Sequence, residues 1–310
     1  MKYDLSGLHF FDEWNFYSGP DPTNGHVQYV DAQTANGTLA GFAQGVPNAG
    51  PTDPILLTVD SVNKAPNGRQ SVRIESKPKV NLGLVIVDIL HMPAPVCGSW
   101  PAFWLLGTGA DWPKSGEIDI LEGVNNADAN SYTLHTTSGI KLSNDTQTQA
   151  SMKGKIVTAN CDVTASDQPT NSGCGIQDVP SAGSYGTAFN NNGGGVFATL
   201  IQPDGIKIWF FPRDKIPADI AAASLSNPTV STGSTWGTPN AVFATNAVTS
   251  HFKDLQVIIN TDFCGAWAGG VWSSNPVCSK LAPTCDEYVT NNPGAFTDVY
   301  WLINSVRIYE

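Results

Sequence analysis

The sequence predicts an all-β sandwich, on three observations: a composition rich in turn formers, apolar runs of strand length, and helical signals that are brief. The chain has 310 residues, with 30 Gly, 21 Pro and only 14% charged residues. That profile suits short strands joined by many turns and suits a helical bundle poorly. The length lies within the range of one domain with a substantial core. No internal repeat and no Pro/Ser/Thr linker divides it, so residues 1–310 are expected to form a single domain.

Taken in order, Ser71 to Lys77 alternates, with Val72 and Ile74 on one face and Arg73 and Glu75 on the other. Leu82 to Met92 is nearly continuously apolar, as a central strand of packed sheets should be. Further strands are expected at Ser131–Thr137, Gly195–Gln202, Ile206–Phe211, Leu255–Asn260 and Asp298–Tyr309. Ser166–Gly186 and Phe189–Gly195 read as long polar loops. Helix is expected only at Ile216–Ala223 and Cys285–Thr290.

Net charge is −11 and the chain has only 16 Lys and Arg, with no basic run. Binding to nucleic acid rests on cations that neutralise phosphates, so a nucleic-acid partner is disfavoured and a neutral polymer is not. The longest apolar stretch contains Asp88 and is too short to cross a bilayer, so a soluble protein is expected. Met1 to Leu5 has no apolar h-region, and a removed leader is the expectation. Six cysteines and two acceptor triplets, at Asn36 and Asn144, point to an oxidising, secretory route. No zinc-ligand spacing and no calcium loop is recognisable, and no metal or cofactor is expected. A monomer is the default.

The informative segment is Ser115-Gly116-Glu117-Ile118-Asp119-Ile120-Leu121-Glu122-Gly123. Alternation buries Ile118 and turns Glu117 and Asp119 to the opposite face. Strict alternation would then send Glu122 into the core beside the isoleucines, where an unpaired carboxylate is costly. A β-bulge near Ile120–Leu121 adds one residue and returns Glu122 to the side of Glu117. Three acids then share one face and must share protons or shift their pKa values. A solvated acidic strand explains a bare E-x-D, but the full E-x-D-x-x-E with flanking glycines favours chemistry.

This motif resembles the signature of glycoside hydrolase family 16 in its bulged form. Gly98-Ser99-Trp100-Pro101-Ala102-Phe103-Trp104 and Asp111-Trp112-Pro113 before it, and Tyr132-Thr133-Leu134-His135-Thr136 after it, extend the resemblance. Residues 21–31 (DPTNGHVQYVD), 264–269 (CGAWAG) and 300–307 (YWLINSVR) look like the fungal laminarinase, or endo-1,3(4)-β-glucanase, branch.

The resemblance implies a concanavalin A-like β-jelly-roll of two curved antiparallel sheets, with a glucan cleft across the concave one. It implies a retaining endo-β-glucanase acting on β-1,3-glucan and mixed-linkage glucan. Position by position, Glu117 matches the nucleophile, Glu122 the general acid then base, and Asp119 the carboxylate that tunes them. His135 is matched to the cleft, near Glu122 or the sugar.

Trp104 and Trp112 match cleft positions, and Trp267 suits the far subsites. Trp100 and Trp301 are expected in the core, although Trp100 remains a candidate for sugar contact. Arg73 is either a ligand for a sugar hydroxyl or half of a surface salt bridge.

Bracketing of polar loops pairs Cys161 with Cys174 and Cys278 with Cys285. Cys97 and Cys264 remain, both near matched tryptophans, and a link between them follows. Two departures stand out: the apolar Leu105–Ala110 stretch where the branch is commonly acidic, and six cysteines where some relatives have eight. A transglycosylase using the same residues and a non-hydrolytic glucan-binding protein are the competing readings.

Overall fold

In the computed structural model, which describes residues 1–231 and 235–310, two eight-stranded antiparallel sheets face each other. One runs in the order Ala241–Ala244, Gly205–Pro212, Gly195–Gln202, Gly83–His91, Tyr300–Tyr309, Ile55–Thr58, Ala40–Phe42, with Tyr3–Ser6 also paired to Tyr300–Tyr309. The other, which carries the acidic motif, runs Lys155–Ile156, Cys174–Gln177, Ser131–His135, Glu117–Glu122, Ser99–Gly107, Leu255–Phe263, Arg73–Val80, Trp14–Phe16. This is the jelly-roll sandwich that the resemblance implies. Among the described residues no helix is long and apolar enough to cross a membrane.

The strand periodicity explains both the apolar run and the alternating ones. Val85, Val87 and Ile89 join Phe197, Ile208, Phe210 and Val306 in the main core, against Ile74, Phe103, Leu105, Ile118 and Ile259 of the motif sheet. Leu84 and Ile86, on the opposite face, are just as buried. They pack with Val196, Leu200, Trp209, Phe211, Ile220 and Trp236 in a second cluster on the outer side of that sheet. The Gly83–His91 strand is therefore apolar throughout because both of its faces are covered. The motif sheet has only its inner face in the main core, which frees its other face for polar groups.

The expected strands are present, Gly195–Gln202 with the expected ends and the others with shifted ones, and Ser71–Lys77 is divided at Val72 between Arg69–Ser71 and Arg73–Val80. The Ser166–Gly186 stretch is not one loop, because Cys174–Gln177 is a strand that pairs with Ser131–His135. Phe189–Gly195 begins inside the short helix Gly186–Asn191, whose buried Phe189 joins the core. Among the expected helices, only Ala218–Ala221 forms in the first, and Cys285–Asn291 forms in the second. Thr284 caps the latter by accepting the Glu287 N–H, at 3.2 Å.

The cysteines pair as Cys161–Cys174, Cys97–Cys278 and Cys264–Cys285. The local pairing of Cys278 with Cys285, and the remaining link of Cys97 with Cys264, are therefore overturned. Proximity in sequence misled because the 264–299 segment folds over the end of the Ser99–Gly107 and Leu255–Phe263 strands. The two crossed bridges lie there in one apolar cluster with Phe263, Trp272, Val289 and Phe296. Trp301 is a core residue as expected, at 1% exposure.

Loop length sets the expected stabilisation. Cys97–Cys278 spans a separation of 181 residues and Cys161–Cys174 one of 13. The chain-entropy model gives about 5 and about 3 kcal/mol respectively. Differential scanning calorimetry of C97A/C278A should show a larger fall in Tm than that of C161A/C174A, and the opposite order would remove this account.

Candidate active site

The Glu117–Glu122 strand is held between its two glycines. Gly116, at φ +76°, turns the chain into the strand where a Cβ would lie 2.4 Å from the Phe252 ring. Gly123 passes beneath Tyr185, whose ring would be 2.7 Å from a Cβ. Between them the register with Ser99–Gly107 slips, from Asp119 opposite Trp104 to Leu121 opposite Phe103. On the other side it slips from Asp119 opposite Thr133 to Glu122 opposite Ser131. The bulge expected at Ile120–Leu121 is there. Ile118, Ile120 and Leu121 all enter the main core, and all three acids stay on the opposite side.

Each glutamate accepts one indole N–H. Trp112 Nε1 donates to Glu117 Oε2 at 2.9 Å, and Trp100 Nε1 donates to Glu122 Oε1 at 2.8 Å. Trp100 is thus not the core residue expected of it. It is half-buried and meets Trp267 edge to face at 5.7 Å. His135 stands directly opposite Glu117 in the ladder. Its Nε2 is 3.3 Å from Asp119 Oδ2 and 3.9 Å from Glu117 Oε1. The hairpin does present His135 to the acids, with its nearest carboxylates those of Asp119 and Glu117 and its charge also felt at Glu122.

Burial pushes all three carboxyls up to about 8. For Glu117 the charge of Asp119 adds to burial, while His135 opposes it. For Glu122 the Asp119 charge again adds to burial, and the Trp100 N–H opposes it. For Asp119 burial is the cause. Three acids so coupled titrate as a group, and near neutral pH the group retains protons. Glu117, Asp119 and His135 each place a ligand atom within 4.8 Å of the others, so they are the residues that could hold a cation.

Further along the same face, Trp104 Nε1 donates to Asn260 Oδ1 at 2.8 Å, and Asn260 Nδ2 donates to the Tyr29 hydroxyl at 3.0 Å. Arg73 is 7% exposed and pairs with Glu75 at 2.9 Å. Its guanidinium lies over the Tyr17 ring at 4.7 Å and the Trp104 ring at 5.2 Å. It is therefore in an ion pair, but a buried one at the site and not one on the open surface.

Sequence reasoning missed Asn260, Tyr29, Tyr17 and Glu75. Of these only Tyr29 had a signal, since it lies in the Asp21–Asp31 stretch. Asp21 and Asp262 were also missed. Thr23 Oγ1 lies 2.5 Å from Asp21 Oδ2 and 2.8 Å from Asp262 Oδ2. Burial, with the Asp21 charge added to it, pushes Asp262 up to about 8.

A raised carboxyl has a stated sign in stability. The folded state keeps protons that the unfolded chain releases above 3.8, so the Asp119 contribution favours folding least at high pH. Asp119→Asn should therefore raise Tm relative to wild type at pH 8, with the gap shrinking towards zero at about pH 4. Thermal melts across that range decide it; a gap that does not grow with pH would contradict the burial of this acid.

A family model described as the XgeA-like catalytic GH16 domain matches residues 14–309. An endo-1,3(4)-beta-glucanase of Arthroderma benhamiae is 43% identical, covering 100% of this chain and 64% of its own length. A probable endo-1,3(4)-beta-glucanase of Aspergillus clavatus is 40% identical, covering 98% and 45%. The chain thus spans about half to two thirds of the length of these curated relatives.

A solved structure of an elongating GH family 16 beta-1,3-glucosyltransferase superposes with TM-score 0.87 at 37% identity, covering 100% and 99%. Laminarinase 16A of Phanerochaete chrysosporium, solved with 6-O-glucosyl-laminaritriose in both donor and acceptor sites, gives 0.83 at 37% identity and the same coverage. With a matched motif, a matched fold and these likenesses along its whole length, the chain belongs to glycoside hydrolase family 16.

Proposed function

We propose that the chain is the single catalytic domain of a retaining endo-β-glucanase that cuts laminarin and mixed-linkage β-1,3-1,4-glucan. Glu117 is the nucleophile and Glu122 the acid, then base. The observation that carries this is the pair of glutamates on one face of one bulged strand, each tied to its own indole N–H. In the first step a Glu117 oxygen bonds to the anomeric carbon while Glu122 passes its proton to the departing glycosidic oxygen. In the second, water attacks that carbon, Glu122 takes a water proton, and the ester bond to Glu117 breaks.

The environments fit these roles. The Trp112 N–H and the nearby His135 favour the ionised form of Glu117 before attack and as it leaves, against burial and the Asp119 charge, while burial keeps a proton on Glu122. Asp119 tunes them, since its charge raises both glutamates, and His135 Nε2 lies 3.3 Å from its Oδ2.

The half-buried Trp104, Trp100 and Trp267 and the 45%-exposed Trp112 offer flat apolar surfaces for pyranose faces. Arg73, Asn260 and Tyr29 supply polar partners for hydroxyls. A chain bent by β-1,3 bonds follows such a trough, whereas straight β-1,4 cellulose fits it badly. The names of the curated relatives, endo-1,3(4)-beta-glucanases, point the same way. The three disulfides and the exposed Asn36 and Asn144 fit a secreted, glycosylated product.

Transglycosylation is a second reading with its own support, since a comparably similar solved structure is a beta-1,3-glucosyltransferase. In that case a sugar hydroxyl replaces water in the second step.

Glu117→Ala should abolish reducing-sugar release from laminarin by several orders of magnitude while oligosaccharide binding persists, and azide should partly restore turnover. Retention of a tenth of wild-type activity would exclude Glu117 as nucleophile. Time-resolved chromatography should give short oligosaccharides from laminarin and lichenan and almost nothing from cellulose, xylan or agarose. Early products longer than the substrate would favour transfer, and early glucose alone would exclude endo cleavage.

A further inference from the structure

We propose that Asn130 is a positioning residue for Glu122, a side-chain peptide surrogate that locks the bulge and so decides which face Glu122 presents. The inference rests on the assignment of Glu122 as acid and base made above.

The bulge costs the strand part of its ladder. Against Ser131–His135 the pairing passes from Asp119–Thr133 straight to Glu122–Ser131, and Ile120 and Leu121 have no Cα partner on that side. A bulge leaves backbone groups in search of partners, and here they lie in the core. Asn130 supplies them. Its Nδ2 donates to the Ile120 carbonyl at 2.8 Å, and its Oδ1 accepts the Glu122 N–H at 2.9 Å.

A carboxamide presents one donor and one acceptor much as a peptide unit does. Asn130 therefore stands in for the rung that the partner strand lacks. The side chain is fully buried, so water is not a substitute. Its position is fixed from the other side as well, because its own carbonyl accepts the Asp178 N–H at 3.0 Å.

Geometry makes this more than a packing role. Side chains alternate with period two, so a strand that gives up its extra residue rotates everything beyond it by one face. For this strand the residue beyond the bulge is Glu122, and the opposite face is the one holding Ile118 and Ile120. No other side chain among the described residues bonds both the Ile120 carbonyl and the Glu122 N–H. Removing the amide frees the backbone atom to which the acid's own Cα is attached, while Glu117, ahead of the bulge, keeps its pairs with Leu106 and His135.

A defect confined to the acid has a kinetic signature that general loss of structure lacks. Leaving groups that depart without a proton do not need the acid in the first step. Asn130→Ala and Glu122→Gln are to be compared with wild type in kcat/KM on a laminari-oligosaccharide and on 2,4-dinitrophenyl β-laminaribioside. For Asn130→Ala the loss on the oligosaccharide should be about 100-fold, and that on the dinitrophenyl glycoside below about tenfold.

Equal losses on the two substrates, or no loss, would overturn the role of Asn130. Equal losses for Glu122→Gln would overturn the acid assignment instead. Where circular dichroism shows that the alanine variant has not folded, Asn130→Asp is put through the same pair. So buried a place favours a proton on that new carboxyl, so Asn130→Leu, of similar volume and with neither donor nor acceptor, is run beside it, and the same two outcomes for the leucine variant decide.

Discussion

Three carboxyl groups must be held together, out of water, on one face of one strand. Like charges in a poorly solvated site repel, and each acid alone would be destabilised by burial. What makes the arrangement tolerable is the retention of protons near neutral pH, with the indole N–H groups of Trp100 and Trp112 each aimed at one glutamate. The protein stores free energy in this crowding and keeps the acids in a state where small shifts of a proton have large effects. Gly116 and Gly123 at its ends and the ladders on either side hold that strand with its single bulge.

The sandwich answers that need by treating its two sheets unequally. The sheet opposite the site is covered on both faces, by the main core and by the cluster around Trp209 and Trp236. It is a rigid backing. The motif sheet buries Phe103, Leu105, Ile118 and Ile259 inward and spends its outer face on Arg73, Asn260, Trp104 and the acids. Two crossed disulfides close the end where the Ser99–Gly107 and Leu255–Phe263 strands start and finish.

Most of this organisation was legible in the residues. Alternation at Glu117–Asp119, and the cost of burying Glu122, were enough to require a bulge at Ile120–Leu121. The run at Leu82–Met92 was enough to require a buried strand. What escaped had a common physical cause, namely contacts between residues far apart in sequence. Cys97 with Cys278, Trp104 with Asn260, and Arg73 stacked between Tyr17 and Trp104 leave no periodic trace. Trp100 was misplaced because a strand tryptophan is usually core, and nothing local says that its N–H meets Glu122. Asn130, just ahead of a strand, carries no local mark of its bonds to Ile120 and Glu122.

The groups nearest the acids come from one meander, the consecutive strands Ser99–Gly107, Glu117–Glu122 and Ser131–His135, together with the Trp112 turn. The flank bearing Asn260, Asp262 and Trp267 is supplied by chain more than a hundred residues later, and Arg73 by chain upstream. The acids and three of the tryptophans thus share one stretch of the polypeptide, and the rest of the surrounding face comes from others. A change in the remote stretches can reshape what the trough admits without disturbing the acids, so a lineage can explore new polymers while inheriting the same reaction.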